Sequence, residues 1–80
     1  MSMSTADLLK AELMTSNQEY RELAKEHHRC EGRLEEINAL SHPSQEEMVE
    51  AATLKKRKLQ LKDKMEQILQ NYKKNAVSGH

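Results

Sequence analysis

The fold of this 80-residue chain follows from the segment Ser41-His42-Pro43-Ser44-Gln45-Glu46-Glu47. Pro43 disfavours a helical backbone at the residue before it, so a helix that approaches from the N-terminal side is expected to end near residue 40. Ser44 followed three residues later by Glu47 is a capping box, which predicts that a new helix begins at once. Because the connection covers only residues 41–44, the two helices are expected to be antiparallel neighbours.

Apolar residues on both sides of this turn repeat at intervals of three and four residues, which is the a/d pattern of a coiled coil. The pattern predicts one long helix over about residues 17–40 and another over about 45–74. Folding one helix onto the other joins the two stripes into one line of contact, here called the hairpin seam. Its predicted members are Tyr20, Leu23, His27, Cys30, Leu34 and Ile37 on the first helix and Ala51, Leu54, Lys58, Leu61, Met65, Ile68 and Tyr72 on the second.

A short helix is predicted over about residues 5–14, before the hairpin. Ser4, with an aspartate three residues on, gives this helix a start that resembles a capping box. The run Thr15-Ser16-Asn17 then interrupts it, because such side chains compete for backbone hydrogen bonds. Ser16, with Glu19 three residues on, is expected to cap the next helix.

The remaining residues, 75–80, carry no periodic pattern and are expected to form a frayed tail. The chain is only 80 residues long, so residues 1–80 are predicted to form a single helical-hairpin domain. The expected fold class is all-α: an antiparallel two-helix coiled-coil hairpin preceded by a short N-terminal helix.

The apolar stripe of the last helix is wider than one partner helix requires. A second surface is needed to cover the extra width, and either the N-terminal helix or another chain could supply it. A chain this small buries little apolar surface, and small domains often depend on oligomerisation. The protein is therefore expected to be a homo-oligomer, with a possible oligomer face made of Met48, Ala52, Leu59 and Leu69.

Composition and length narrow the class of function. Hydrophobic residues make up 36% of the chain, with no Phe and no Trp, so a monomer cannot enclose a drug-sized pocket. No Gly-rich phosphate loop, nucleophile elbow or shielded carboxylate pair is recognisable, so no catalytic residue, no cofactor and no enzyme activity are predicted. No apolar run approaches the roughly 20 residues of a membrane span, and the first ten residues do not have the pattern of a signal peptide.

The net charge of zero conceals an uneven distribution of charge. Residues 1–50 carry five basic and 11 acidic side chains, whereas residues 51–80 carry eight basic and two acidic ones. A hairpin brings these two parts together, so each is expected to neutralise much of the other's charge. Exposed ion pairs are worth only about 0–1 kcal/mol each, so they set orientation more than stability.

The same basic stretch, Lys55–Lys64, supports an alternative function, a weak contact with a polyanion such as a nucleic acid or an anionic membrane. No aromatic side chain lies near the stretch to stack on bases, so nucleic acid is not an expected partner. The possible contact residues are Lys55, Lys56, Arg57, Lys62 and Lys64.

His27 and Cys30 suggest a second alternative, a metal or redox sensor. The two residues share one helix face, but a structural zinc site uses four ligands, and the facing helix offers Lys58 instead. No metal site is therefore assigned. His27 and Lys58 are polar members of the seam, and such residues often fix the register of a coiled coil. The single cysteine cannot form an intramolecular disulfide, and a reducing compartment is the simplest interpretation.

Several segments resemble the YdcH-like family of small bacterial proteins. They are Glu19-Tyr20-Arg21-Glu22-Leu23, His27, Lys55-Lys56 and Lys58-Leu59-Gln60-Leu61-Lys62-Asp63. The resemblance covers about residues 17–70 and implies a hairpin of two long helices, a cytoplasmic location, and no activity or cofactor that carries over. Cys30 departs from the family pattern, in which a leucine-like residue is usual.

The sequence as a whole predicts an uncharacterised, non-enzymatic module for protein interaction and self-association. Its partner protein is not identified by the sequence. It would bind another helix through apolar anchors at i, i+3, i+4 and i+7.

Overall fold

The computed structural model describes residues 4–78, and their side chains as far as Asn75. The regular structure of this part is entirely helical, which confirms the all-α class. The second and third helices contact each other in opposite order along the chain. Arg33 pairs with Glu50, whereas Glu26, which precedes Arg33, pairs with Arg57, which follows Glu50. The coiled-coil geometry of this pair stays a prediction. The helices are α1 (Thr5–Ser16), α2 (Gln18–Asn38) and α3 (Gln45–Ser78).

The break between α1 and α2 is a single extended residue, Asn17, with φ −123° and ψ 109°. The prediction that Ser16 caps α2 is wrong. Its hydroxyl donates instead to the carbonyl of Glu12 at 2.8 Å, so α1 continues through Ser16. Asn17 serves both helices, because its N–H donates to the carbonyl of Leu13 at 2.9 Å and its Oδ1 accepts from the N–H of Tyr20 at 2.8 Å.

The starts of α1 and α3 agree with the caps that the sequence predicts. Ser4 Oγ accepts from the N–H of Asp7 at 3.1 Å and caps α1. Ser44 and Glu47 form the reciprocal capping box at the start of α3. The N–H of Glu47 donates to Ser44 Oγ at 3.1 Å, and the N–H of Ser44 donates to Glu47 Oε1 at 2.7 Å.

The C-terminal end of α3 differs from the prediction. The helix reaches Ser78, four residues beyond the predicted end at residue 74, and a frayed state of the tail stays a prediction. Neither Gly nor Pro occurs between residues 75 and 78, and extending a formed helix adds one hydrogen bond for each residue that is fixed. Residues 79–80 of the predicted tail lie outside the described part.

Buried side chains form two regions along the hairpin. Every predicted member of the hairpin seam is buried or half-buried, and Leu61 is fully buried with 0% of its surface exposed. The second region is the cluster that α1 forms on the hairpin. Its centre is Leu13, Tyr20 and Leu69, against which Leu9, Met65, Ile68 and Tyr72 pack.

Leu69 therefore does not belong to an exposed oligomer face. It is 5% exposed, because α1 folds back over it and places Leu13 against it. Tyr72 adds a polar contact at the same place, since its hydroxyl donates to Glu12 Oε2 on α1. The N-terminal helix thus covers one end of the wide stripe on α3, whereas Met48, Ala52 and Leu59 stay exposed.

Candidate functional site

Ion pairs line the boundary between α2 and α3. Arg33 binds Glu50 through two hydrogen bonds, Nε to Oε2 at 2.8 Å and Nη2 to Oε1 at 2.9 Å. Arg57 Nε donates to Glu26 Oε2 at 2.7 Å. The expected pairing of an acidic α2 with a basic α3 is thus present at Glu26, but Arg33 and Glu50 pair in the opposite sense.

These contacts change the ionisation of the carboxylates. The hydrogen bond from Arg33 holds the pKa of Glu50 below its usual value, and the positive charge of Arg33 acts in the same direction. Arg57 lowers the pKa of Glu26 in the same two ways. A carboxylate with a lowered pKa in the folded state stabilises the fold above its unfolded pKa. That stabilisation is lost as the pH falls through the folded value.

Replacing Arg33 by Gln is expected to raise the pKa of Glu50 towards its usual value, because the bidentate donor and its charge are removed together. NMR titration of the glutamate side-chain carboxyl carbons measures this pKa directly. Arg29→Gln is the matched control, since Arg29 is an exposed arginine of the same helix with no ion pair to a described side chain. An unchanged Glu50 pKa in Arg33→Gln would show that the pair does not form in solution.

A cleft between all three helices holds the polar members of the seam. Its floor includes Met65 and its edge includes Lys10 of α1. Glu31 lies between His27 and Lys58, with Oε1 3.7 Å from His27 Nδ1 and Oε2 3.3 Å from Lys58 Nζ. One carboxylate of α2 therefore lies close to both the seam histidine and the seam lysine of α3.

Tyr20 lines the same cleft, and its phenol is poorly suited to acid–base chemistry at neutral pH. Burial raises the pKa of Tyr20, and the nearby negative charge of Glu66 raises it further. The hydroxyl is therefore held protonated well above neutral pH. The cleft therefore combines the ion pair between Glu31 and Lys58 with a neutral phenol.

Cys30 lies on a different cleft from His27. The thiol is buried and lines a shallow groove with Leu54, Thr53 and Arg57, whereas His27 lines the cleft beneath α1. The structure does not bring the two residues to one site. Within residues 4–78, no group of three or more His, Cys, Asp or Glu side chains is placed to hold a metal ion.

The predicted polyanion contacts divide into two groups. Arg57 is paired with Glu26 and is only partly exposed. The other four are exposed and make no ion pair with any side chain up to residue 75. They are Lys55, Lys56, Lys62 and Lys64.

Exposed apolar side chains follow the side of α3 that points away from the hairpin, here called the outer face of α3. Met48 is 55% exposed and Leu59 is 60% exposed. Val49, 62% exposed, lies beside Met48, and the sequence analysis missed it because it falls outside the heptad spacing. Along the outer face the residues follow one another at intervals of four and three: Met48, Ala52, Lys55, Leu59 and Lys62.

A bilayer crossing needs a long and apolar helix, and none of the helices in the described part of the chain meets both conditions.

Comparison with known proteins places the chain in a family. A family model described as "Protein of unknown function (DUF465)" matches residues 18–69. This is more than half of the chain, which therefore belongs to that family, and the match agrees with the resemblance to the YdcH-like family. The matched range begins directly after Asn17 and covers α2, the turn and most of α3. No curated protein and no solved structure matches the chain.

Proposed function

We propose that this DUF465 protein is a non-enzymatic interaction module, which binds a helix of another polypeptide chain through the outer face of α3. The observation that carries the proposal is the exposure of Met48 and Leu59 on a helix whose opposite side is already buried in the hairpin. A helix that is apolar on two opposite sides has one side without a partner. Single exposed apolar residues are ordinary on protein surfaces. Met48, Ala52 and Leu59, however, are spaced by four and seven residues, as anchors of helix docking are.

The hairpin would act as the rigid support for this surface. Leu61 is fully buried and lies two residues from the exposed Leu59. The side of α3 opposite the binding surface is therefore packed in the hairpin at this point. The antiparallel coiled coil belongs to the same proposal, with His27 and Lys58 fixing its register through Glu31. The distances of 3.7 and 3.3 Å within that group support this role.

A bacterial cytoplasmic setting is also part of the proposal. The only cysteine, Cys30, is a buried free thiol, which suits a reducing compartment. Fractionation of cells that express the protein tests the location, and recovery from a compartment other than the cytoplasm would contradict it.

Site-specific photocrosslinking in living cells tests the binding surface. With a benzophenone amino acid at position 59, we expect covalent adducts with a polypeptide chain, identified by mass spectrometry. Position 8 is the matched control, because Leu8 is a leucine with similar exposure, 52%, on α1. The absence of protein adducts at position 59, or the same adducts at both positions, would contradict the proposal.

Contact with a polyanion is a second candidate, favoured by the exposure of Lys55, Lys56, Lys62 and Lys64, none of which makes an ion pair with a described side chain. If it is correct, binding to duplex DNA or to anionic vesicles falls steeply with salt; for DNA the slope is about −0.9 per phosphate neutralised. Replacing Lys55, Lys56 and Lys62 together by Gln is expected to abolish it. Replacing Lys10, Lys25 and Lys73 by Gln removes the same total charge elsewhere and is expected to weaken it only slightly. Binding that is absent, or insensitive to salt, excludes this candidate.

A further inference from the structure

We infer that the cleft between the three helices is a binding site for a small organic monocarboxylate, whose charged end faces the lysines of the cleft and whose apolar end covers its floor. The site goes beyond the proposed function, because it lies beneath α1 and Leu59 does not line it. The inference is carried by a buried hydroxyl without a partner and by the balance of charge around it.

The hydroxyl of Tyr20 is a polar group that the protein leaves without a partner. Only 3% of Tyr20 is exposed, and its hydroxyl makes no hydrogen bond within the described part of the chain. Buried polar groups are nearly always hydrogen-bonded, because an unpaired one retains the cost of its desolvation. Tyr20 lines the cleft, and no described side-chain nitrogen or oxygen is fully enclosed without a partner, so this hydroxyl opens into the cleft. A protonated phenol there can donate a hydrogen bond to a ligand.

The charges around the cleft favour an anion. Three lysines and two glutamates line it, so it carries one positive charge in excess while His27 is neutral. Lys58 is paired with Glu31 at 3.3 Å, whereas Lys10 and Lys62 make no ion pair with a described side chain. Lys10 belongs to α1 and Lys62 to α3, so an anion bound between them would be held by both helices. A ligand with a single negative charge neutralises the excess.

Glu66 is the acidic group that competes with such a ligand. Its negative charge acts on the Tyr20 hydroxyl, but it forms neither a hydrogen bond with Tyr20 nor an ion pair with Lys10. Glu66 is exposed, and one of its oxygens accepts a hydrogen bond from Gln70 Nε2 at 3.0 Å. Lys10 and the Tyr20 hydroxyl are therefore available to a ligand, and Glu66 reduces the positive charge of the cleft without cancelling it.

The size and the floor of the cleft define the rest of the ligand. Its volume is about 310 Å³. This lies at the lower end of the range for small-molecule sites, about 300–1,000 Å³. Met65 and Leu69 supply an apolar wall, which an inorganic anion would leave uncovered. A carboxylate that carries a short apolar chain matches both the charge and the wall.

Titration with hexanoate, followed by NMR of the ¹⁵N-labelled protein, tests the site. We expect saturable shifts of the amides near Lys10 and Lys62, with a Kd on the order of 1 mM. Hexanamide has the same chain without the charge and is expected to bind about tenfold more weakly or worse. Shifts that do not saturate, shifts confined to the outer face of α3, or equal affinity for hexanamide would overturn the inference.

Three variants test the groups that hold the carboxylate. Tyr20→Phe removes the hydroxyl and keeps the ring, and it is expected to weaken hexanoate binding about three- to tenfold. Lys10→Gln with Lys62→Gln is expected to weaken it about tenfold or more. Lys25→Gln with Lys73→Gln is the matched control, because both are exposed lysines that do not line the cleft. Unchanged affinity in Tyr20→Phe, or equal losses in the two lysine pairs, would contradict the site. Circular dichroism verifies that all variants keep their helices.

Glu66→Gln is expected to change the affinity in the opposite direction. It removes the competing negative charge, so hexanoate is expected to bind about threefold more tightly. Weaker binding in this variant would overturn the assignment of an anion. Inorganic phosphate that binds as tightly as hexanoate would overturn the monocarboxylate, because phosphate cannot cover Met65 and Leu69.

Hydrogen exchange tests whether the ligand joins α1 to the hairpin. A ligand that binds only when α1 is docked stabilises the docked state by mass action. At a hexanoate concentration of about ten times its Kd, the amides of α1 are expected to exchange about tenfold more slowly. Unchanged exchange in α1 would contradict a site that includes Lys10.

Discussion

Replacing Leu61 by Ala is expected to lower the free energy of unfolding by about 2–5 kcal/mol, because it leaves a cavity at a fully buried position of the seam. A chain of this size has a total stability of only about 4–12 kcal/mol, so the loss is a large part of it. Urea denaturation followed by circular dichroism measures the change.

Leu59→Ala is the matched control for this substitution. It removes the same atoms from the same helix, two residues away, but Leu59 is 60% exposed. At a protein concentration too low for association, it is expected to change the free energy of unfolding by no more than about 0.5 kcal/mol. Equal effects of the two substitutions would mean that α3 does not present Leu61 to α2.

Replacing Leu13 by Ala is expected to detach α1 from the hairpin. Leu13 is 1% exposed and contacts Tyr20 and Leu69. Its truncation is therefore expected to weaken the packing of α1 on the hairpin by about 2–5 kcal/mol. The loss falls on one short helix, because Asn17 separates α1 from α2. Hydrogen exchange is expected to become faster in the amides of α1 and to stay unchanged around Leu34.

Leu8→Ala provides the comparison for α1. It is the same substitution in the same helix at a position that is 52% exposed, so the exchange of α1 amides is expected to change little. Faster exchange throughout the hairpin in Leu13→Ala would contradict local detachment. It would indicate that α1 and the hairpin unfold as one unit.

Features that depend on residues close together in the chain could be predicted from the sequence. The capping box of Ser44 and Glu47 forms as expected at the start of α3. The turn itself is longer than predicted, because α2 ends at Asn38 rather than near residue 40. The seam was predictable because its residues recur at the period that brings one side of a helix onto another. Leu61, the most buried of them, lies in the middle of that pattern.

Features for which the sequence offers two equivalent groups could not be predicted. Ser16 and Asn17 both carry a side-chain oxygen that can cap α2. In the structure Asn17 caps α2, because the Ser16 hydroxyl donates to the carbonyl of Glu12 instead. The apolar surface of α3 is a second example, since the sequence allowed either α1 or another chain to cover Leu69. Only the folded arrangement, in which Leu13 reaches Leu69, separates that residue from Met48 and Leu59.

The hydrogen bond between Tyr72 and Glu12 has a consequence for the order in which the protein folds during synthesis. It joins residues 60 positions apart, whereas the Arg33–Glu50 pair near the turn spans 17. Closing the longer loop costs about 1 kcal/mol more chain entropy, so the hairpin is expected to form from its turn outward and α1 to dock last. Yet α1 is synthesised before the hairpin. Its apolar side, with Leu9 and Leu13, is therefore expected to stay uncovered by α3 until translation has passed Tyr72.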